Sequence, residues 1–179
     1  MALKSTIHKA NIQLSDMDRN YYDSFQLTLA QHPSETAKRL MLRLVAYLYH
    51  ANENLSFGRG VSDEDEAAIW QINYSDEIEL WIELGQIEFK RIKKASNKAH
   101  SVFVYCYGSS ADIWWENNKT SLQQIKNLTV KKFPADLAEQ LEKFLDRNME
   151  LQCSIQDSEM WLTCGEETIL IQAPTLSAE

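Results

Sequence analysis

Ile78-Glu79-Leu80-Trp81-Ile82-Glu83-Leu84-Gly85 decides how the chain is read. Apolar residues fall on alternate positions, so Ile78, Leu80, Ile82 and Leu84 share one face of an extended strand, and Glu79, Trp81 and Glu83 share the other. Gly85 closes the strand. Residues 87–99 then place Ile92, Ala95 and Ala99 on one side of a helix. Val102-Phe103-Val104-Tyr105-Cys106-Tyr107 follows, a near-continuous apolar run of the kind found in strands covered on both faces. Gly108-Ser109-Ser110 lead into a helix carrying Ile113, Trp114 and Trp115, with Trp114 expected inside and Trp115 half covered. Leu128-Thr129-Val130 read as a short strand, and Pro134 opens a helix with Leu137, Leu141 and Leu145. This alternation predicts a partly parallel, right-handed α/β unit.

Toward the N-terminus the pattern changes. Ala10, Ile12 and Leu14 alternate with polar residues, as do Phe25, Leu27 and Leu29, and the turn-rich Ser15-Asp16-Met17-Asp18-Arg19-Asn20 lies between them, which predicts a hairpin. A helix follows. Pro33 suits its first position, Glu35 the positive end of its dipole, and Ala37, Leu40, Met41, Leu44 and Leu48 its buried stripe. Leu42, Val45 and Tyr49 widen that stripe, so the helix is expected to be covered on more than one side and to end at Asn52-Glu53-Asn54. Leu55 to Gly60 reads as a short strand leading into the acidic run Asp63-Glu64-Asp65-Glu66.

The C-terminal third returns to alternation. Met149, Leu151, Cys153 and Ile155 form one set, Met160, Leu162 and Cys164 a second, and Ile169 to Ile171 a third, with turns at Asp157-Ser158-Glu159 and Gly165-Glu166-Glu167. The expected fold is α/β: one mixed sheet with an N-terminal hairpin and a C-terminal antiparallel meander. Its expected domain organisation is a single domain over residues 1–173 with a tail at 174–179.

Composition agrees with a globular domain. The chain has 179 residues, 44% of them hydrophobic and 25% charged, and domains usually hold about 100–200 residues. Three cysteines with no CxxC or Cys/His ligand spacing point to free thiols in a reducing compartment. The opening residues Met1 to Ile7 lack the apolar core of a secretory signal, and no apolar run approaches the roughly 20 residues of a membrane span, so a cytoplasmic location and no membrane contact are expected. Lys and Arg total 18 against 26 Asp and Glu, a net charge of −8. Diffuse adhesion to nucleic acid or anionic lipid is disfavoured by that sign, so such contact needs a local basic patch.

One such patch exists. Lys90, Arg91, Lys93, Lys94 and Lys98 crowd the helix that follows the decisive strand. A short turn brings these cations near Glu83, and a carboxylate beside a cation is the smallest kit for metal-assisted phosphodiester hydrolysis. Glu79 and Glu83 lie about 13 Å apart along an extended strand. A shared ion therefore needs strand curvature or a carboxylate from elsewhere, such as Glu35 or the acidic run. The bland reading is that both glutamates flank Trp81 on a solvated face and that the cations balance local acid. Other chemistries find less support: His8, His32, His50 and His100 are scattered, no phosphate-cradling glycine motif or GxSxG is present, and Cys106 lies in a core strand.

The stretch from Ile78 to Gly85 with Arg91-Ile92-Lys93-Lys94-Ala95, His32-Pro33-Ser34-Glu35-Thr36 and Ala111-Asp112-Ile113-Trp114-Trp115 resembles the YaeQ family of small bacterial proteins over nearly the whole chain. The resemblance implies a variation of the PD-(D/E)XK nuclease core. In such enzymes two acidic residues hold the metal and a lysine two positions after the second assists. With Glu83 as the second carboxylate, Gly85 stands at the lysine position, and Lys94, Lys93 or Arg91 would have to replace it from the helix. The resemblance also implies an acidic residue that relatives can carry near Ala67-Ala68; Glu79 would have to substitute for it, and Glu35 would add the helix-borne carboxylate seen in some of these enzymes.

Two functional expectations result. The first is a phosphodiesterase or nuclease dependent on Mg²⁺ or Mn²⁺, with Glu83, Glu79, Lys94 and Arg91 as catalytic candidates and Glu83, Glu79 and Glu35 as metal ligands. The alternative is a non-catalytic module that binds nucleic acid through the helix at 90–98, or a protein partner, on a degenerate nuclease scaffold.

Overall fold

The computed structural model describes residues 4–59 and 64–177; Met1 to Leu3, Gly60 at the end of the expected short strand, Asp63 of the acidic run and the last two residues of the expected tail lie outside it. Ten strands and four helices form among the described residues, arranged in two five-stranded mixed sheets in place of the one expected sheet. The chain divides into two compact units, residues up to Tyr49 with Asp136–Ala173, and His50–Ala135 with the residues from Pro174. No described helix is long and apolar enough to cross a membrane.

The first unit joins the two ends of the alternating pattern. β1 (Thr6–Asp16) and β2 (Tyr21–Gln31) form the expected hairpin, and β8 (Asn148–Gln156), β9 (Glu159–Cys164) and β10 (Glu167–Gln172) form the expected meander. Parallel pairing of β1 with β8 merges them into one sheet of order β10-β9-β8-β1-β2. Ala10, Ile12 and Leu14 on β1 and Met149, Leu151, Cys153 and Ile155 on β8 are all buried, as period-two alternation requires. The hairpin turn also organises its neighbour: both carboxylate oxygens of Asp18 accept the backbone N–H groups of Asp157 and Ser158, each at 2.8 Å.

α1 (Ala37–Tyr49) is buried without a break from Leu40 to Leu48, which matches its broad apolar stripe. Its boundaries differ from the expected ones. Thr36 accepts the Arg39 N–H through its hydroxyl and the Leu40 N–H through its carbonyl, both at 3.1 Å, so Thr36 caps the helix and Pro33 lies in the preceding turn. At the other end Asn52 Oδ1 accepts the Asn54 N–H at 2.8 Å, a local turn that competes with helix and stops α1 at Tyr49. α4 (Leu137–Glu142) packs against α1 with Leu137 and Leu141 buried; Phe144 takes the buried place expected for Leu145.

The second unit holds β3 (Leu55–Phe57), β4 (Ile69–Ile72), β5 (Ile78–Leu84), β6 (Ala99–Cys106) and β7 (Leu128–Lys132) in that spatial order. β5, β6 and β7 are mutually parallel, the α/β unit that strand–helix alternation predicted. β4 is the strand the pattern omits, since its four residues are too few to show a period. It joins β3 to β5 by antiparallel pairing. Gly58 permits that join: its N–H bonds the Ala68 carbonyl at 3.0 Å, and a β-carbon there would lie 1.9 Å from the Ala67 carbonyl oxygen.

α2 (Phe89–Lys98) and α3 (Ala111–Leu122) cover one face of this sheet. Ile92 and Ala95 from α2, with Ala111, Trp115 and Leu122 from α3, close over Trp81, Val102, Val104 and Val130. The tryptophans exchange their expected places: Trp115 is buried, while Trp114 sits at the margin with its indole N–H donated to the Ile87 carbonyl at 2.9 Å. Residues 174–176 run beside β7, with the Lys132 N–H on the Pro174 carbonyl at 3.1 Å and the Leu176 N–H on the Val130 carbonyl at 2.8 Å.

Candidate functional site

β5 carries Glu83 into the space beneath α2. Glu83 is 4% exposed, on the same face as Trp81, whose indole N–H bonds Glu83 Oε1 at 2.8 Å. Arg91, on the first turn of α2, donates Nε at 3.0 Å and Nη2 at 2.7 Å to that same oxygen. The remaining reach of the guanidinium is also used: Nη1 bonds the Glu64 carbonyl at 3.0 Å, and Nη2 bonds the Glu66 carbonyl at 2.9 Å. Arg91 thus ties a buried strand carboxylate to the acidic loop.

The turn that delivers α2 is set by Gly85. Its φ is +103°, a conformation L side chains rarely adopt, and its N–H bonds the Tyr105 carbonyl at 2.8 Å on the neighbouring strand. The backbone itself therefore disfavours a lysine at this position.

The other basic residues are distributed around the same loop. Lys94 Nζ lies 2.9 Å from Asp65 Oδ1, and Lys98 Nζ lies 3.7 Å from it. Hydrogen bonding and charge from Lys94, with a smaller contribution from Lys98, hold the exposed Asp65 carboxyl below its ordinary value. Lys90 and Lys93 are exposed on the outward side of α2.

Glu79 does not join this group. Between Gln71 and Ile72 the β4–β5 register shifts, so that Gln71 opposes Leu80 and Ile72 opposes Ile78. Glu79 is the extra residue of that bulge. Gln71, which shares the face of Leu80, donates to Glu79 Oε2 at 2.5 Å, and Asn73 donates to Oε1 at 3.4 Å. Glu79 is thus turned toward the face opposite Trp81 and Glu83. Period-two alternation had placed the two carboxylates together, and the bulge is the reason they part.

Glu35 belongs to the first unit. Lying outside α1, it reaches forward along the helix to Arg39 and Arg43, the latter at 2.9 Å, and Arg43 Nη2 also bonds the Ala30 carbonyl at 3.0 Å. Burial draws the Arg43 guanidinium down from its ordinary value, Glu35 opposes that shift, and Arg39 adds to it. Of the residues singled out from the sequence, the structure therefore joins Glu83 to Arg91, gives Lys94 to Asp65, and places Glu79 and Glu35 in separate polar clusters.

Sequence reasoning missed Asp65, Gln71 and the indole N–H of Trp81 as partners. The opposite signs of the runs at 63–66 and 90–98 signalled the first. Nothing in the alternation signalled the other two.

The family model for YaeQ protein matches residues 1–173. The uncharacterized protein YaeQ of Salmonella typhi is 45% identical over 173 residues, 96% of each chain. That of Escherichia coli K12 is 45% identical over 164 residues, 91% of each. The crystal structure of the YaeQ protein from Xanthomonas axonopodis pv. citri matches with a TM-score of 0.93 at 37% identity, covering 98% of this chain and 99% of that one. The YaeQ protein from Pseudomonas syringae gives a TM-score of 0.92 at 34% identity, covering 98% and 97%.

Proposed function

This chain belongs to the YaeQ family, and we propose that it is a nucleic-acid-binding module that keeps a nuclease-like PD-(D/E)XK scaffold without hydrolysing phosphodiesters. One observation carries this reading: the Glu83 oxygen that a nuclease would offer to a metal instead receives the Trp81 indole and two Arg91 donors. A Mg²⁺ or Mn²⁺ ion does not fit this donor set. It would face a guanidinium nitrogen 2.7 Å from the same oxygen, and like charges at such range repel by several kcal/mol even in a polarisable protein. Among the described residues no three Asp, Glu, His or Cys side chains converge on a common point. Gly85 supports the same reading, because its positive φ excludes the assisting lysine without strain.

Binding is assigned to the outward side of α2. Lys90 and Lys93 face solvent, and Lys94 and Lys98 share one carboxylate, that of Asp65. Two to four phosphates neutralised here on a single strand correspond to a salt slope of about −1.4 to −2.8. The shallow slope suits a chain of net charge −8, in which a local patch works against the global field.

The test pairs retention with turnover. Fluorescence anisotropy follows labelled single- and double-stranded DNA and RNA at increasing salt, while gels follow cleavage with Mg²⁺ and Mn²⁺. The expected result is salt-sensitive retention that weakens in Lys90→Glu/Lys93→Glu, with cleavage no faster than in Glu83→Gln. Cleavage that depends on Glu83 would overturn the proposal in favour of a hydrolase. Absence of retention at low salt would overturn it in favour of a protein partner.

A further inference from the structure

The sheet of the first unit has one face under helices and one face open, and the open face is not built like an idle surface. Strand register places Trp161, Ser154, Ser15 and Tyr22 side by side on four neighbouring strands. Adjacent strands lie about 4.8 Å apart, so the two aromatic residues stand roughly 14 Å from each other with only serines between them. Leu170 continues the row beyond Trp161. Three of its residues are large and exposed: Tyr22 at 60%, Leu170 at 49% and Trp161 at 36%. The next row is Thr163, Gln152, Gln13 and Ser24, and these four line a groove of about 480 Å³ that extends to Asn11 and Glu150. That volume falls within the usual range for small-ligand sites, about 300–1,000 Å³.

We propose that this face binds a neutral oligosaccharide, with Trp161 and Tyr22, in the row bordering the groove, as stacking platforms and the amides and hydroxyls of the groove beside them as the hydrogen-bonding floor. Each pyranose ring presents a weakly polar C–H face suited to an aromatic ring and a rim of hydroxyls that donate and accept at once. Amide side chains answer both roles, and Gln13 and Gln152 are exposed for the purpose. Part of the floor is already ordered. Gln26 donates to Asn11 Oδ1 at 2.9 Å, and Asn11 donates to Glu150 Oε1 at 2.5 Å. The Thr163 and Thr168 hydroxyls pair at 2.8 Å.

Charge separates this ligand from the other one that stacks on aromatics. Neither of the two rows carries Lys, Arg, Asp or Glu, so no counterions would be released by a phosphate backbone. Glu150 at the groove margin adds a negative charge that a polyanion would avoid. A nucleic-acid strand is therefore excluded where a neutral polyol is accepted. This inference stands on the first unit alone and is independent of the binding assigned to α2.

The experiment is a titration of the ¹⁵N-labelled full chain with chitohexaose, cellohexaose and maltohexaose, and in a parallel arm with hexauridylate. At least one neutral hexasaccharide is expected to shift the amides around Gln13, Gln152 and Thr163 in a saturable, salt-insensitive manner. Trp161→Ala and Tyr22→Ala should each weaken that binding about tenfold or more. Both sites are on the surface, and unchanged urea midpoints establish that the variants are folded. The proposal is overturned if none of the three sugars shifts these amides at millimolar concentration, if the two variants bind as wild type does, or if hexauridylate alone produces the shifts.

Discussion

Removing the Arg91 guanidinium perturbs the second unit at its most committed charge. The Arg91→Met variant keeps much of the aliphatic stem and deletes two bonds to Glu83 Oε1, at 2.7 and 3.0 Å, and two to loop carbonyls. Breaking a buried pair by deleting one partner costs about 3–5 kcal/mol. The Glu83 side chain is 5% exposed but that of Arg91 is 27% exposed, so the lower end applies, about 3 kcal/mol. The loop carbonyls can turn to water and add little. Glu83→Gln retains an acceptor and loses only the charge assistance, about 2 kcal/mol. The double variant Glu83→Leu/Arg91→Met removes both charges together and should cost less than the summed costs of Glu83→Leu alone and Arg91→Met alone by about 2–3 kcal/mol. Urea unfolding followed by tryptophan emission reads this unit, because Trp70, Trp81, Trp114 and Trp115 lie in it and only Trp161 lies outside. Single-variant costs below about 1 kcal/mol that add in the double variant would refute the structural role given to the pair.

Three further outcomes follow from the same geometry. Gly85→Lys places a lysine where the proposed nuclease-like core would carry its assisting residue, yet the backbone φ of +103° should cost about 1–3 kcal/mol in urea unfolding and yield no cleavage with Mg²⁺ or Mn²⁺; metal-dependent turnover by this variant would contradict the proposed loss of catalysis. Asp65→Asn releases Lys94 and Lys98, and oligonucleotide retention should strengthen with a steeper salt slope; unchanged retention would remove these lysines from the interface. Burial, reinforced by Asp16 and opposed by Arg19, pushes the Cys153 thiol up to about 12. An unfolded thiol ionises near its ordinary 9, so only the unfolded chain loses this proton between those values. The contribution is fully present below pH 9 and is lost as pH rises toward 12, by up to about 1.4 kcal/mol per pH unit. Cys153→Ala should flatten the alkaline slope of unfolding by about that amount, and an unchanged slope would count against the assignment.

Much of the fold was legible because burial in sheets repeats every two residues. β1, β8 and β5 declared themselves by alternation, and β6 by a continuous apolar run under helices on one side. The merging of the hairpin with the meander was not legible. Parallel pairing of β1 with β8 joins segments over a hundred residues apart, from Lys9↔Asn148 to Asp16↔Ile155, and neither strand carries a local mark of its partner. β4 escaped for a different reason: four residues are too short for a period. The limits of α1 were misplaced because Pro33 and Asn52 looked like better punctuation than Thr36 and Tyr49. The structure resolves that competition through the Thr36 hydroxyl on the Arg39 N–H.

The candidate site shows where a one-dimensional period stops carrying geometry. Glu79 and Glu83 are both strand carboxylates four positions apart, and simple alternation cannot distinguish them. A single inserted residue opposite Gln71 and Ile72 turns Glu79 toward Gln71 and Asn73, while Glu83 stays beneath α2. Arg91 was legible as a cation near Glu83, because a short turn after Gly85 leaves it no distant place to go. Its second task was not, since the carbonyls of Glu64 and Glu66 have no side-chain signature. That second task bears on function. A guanidinium with four hydrogen bonds to two segments is held in place by each of them, so a phosphate competing for it must displace a buried carboxylate and a loop together. Among the described residues Lys90 and Lys93 meet no such competition, so the outward face of the helix can hold a phosphate while its inner face keeps Glu83 from a metal.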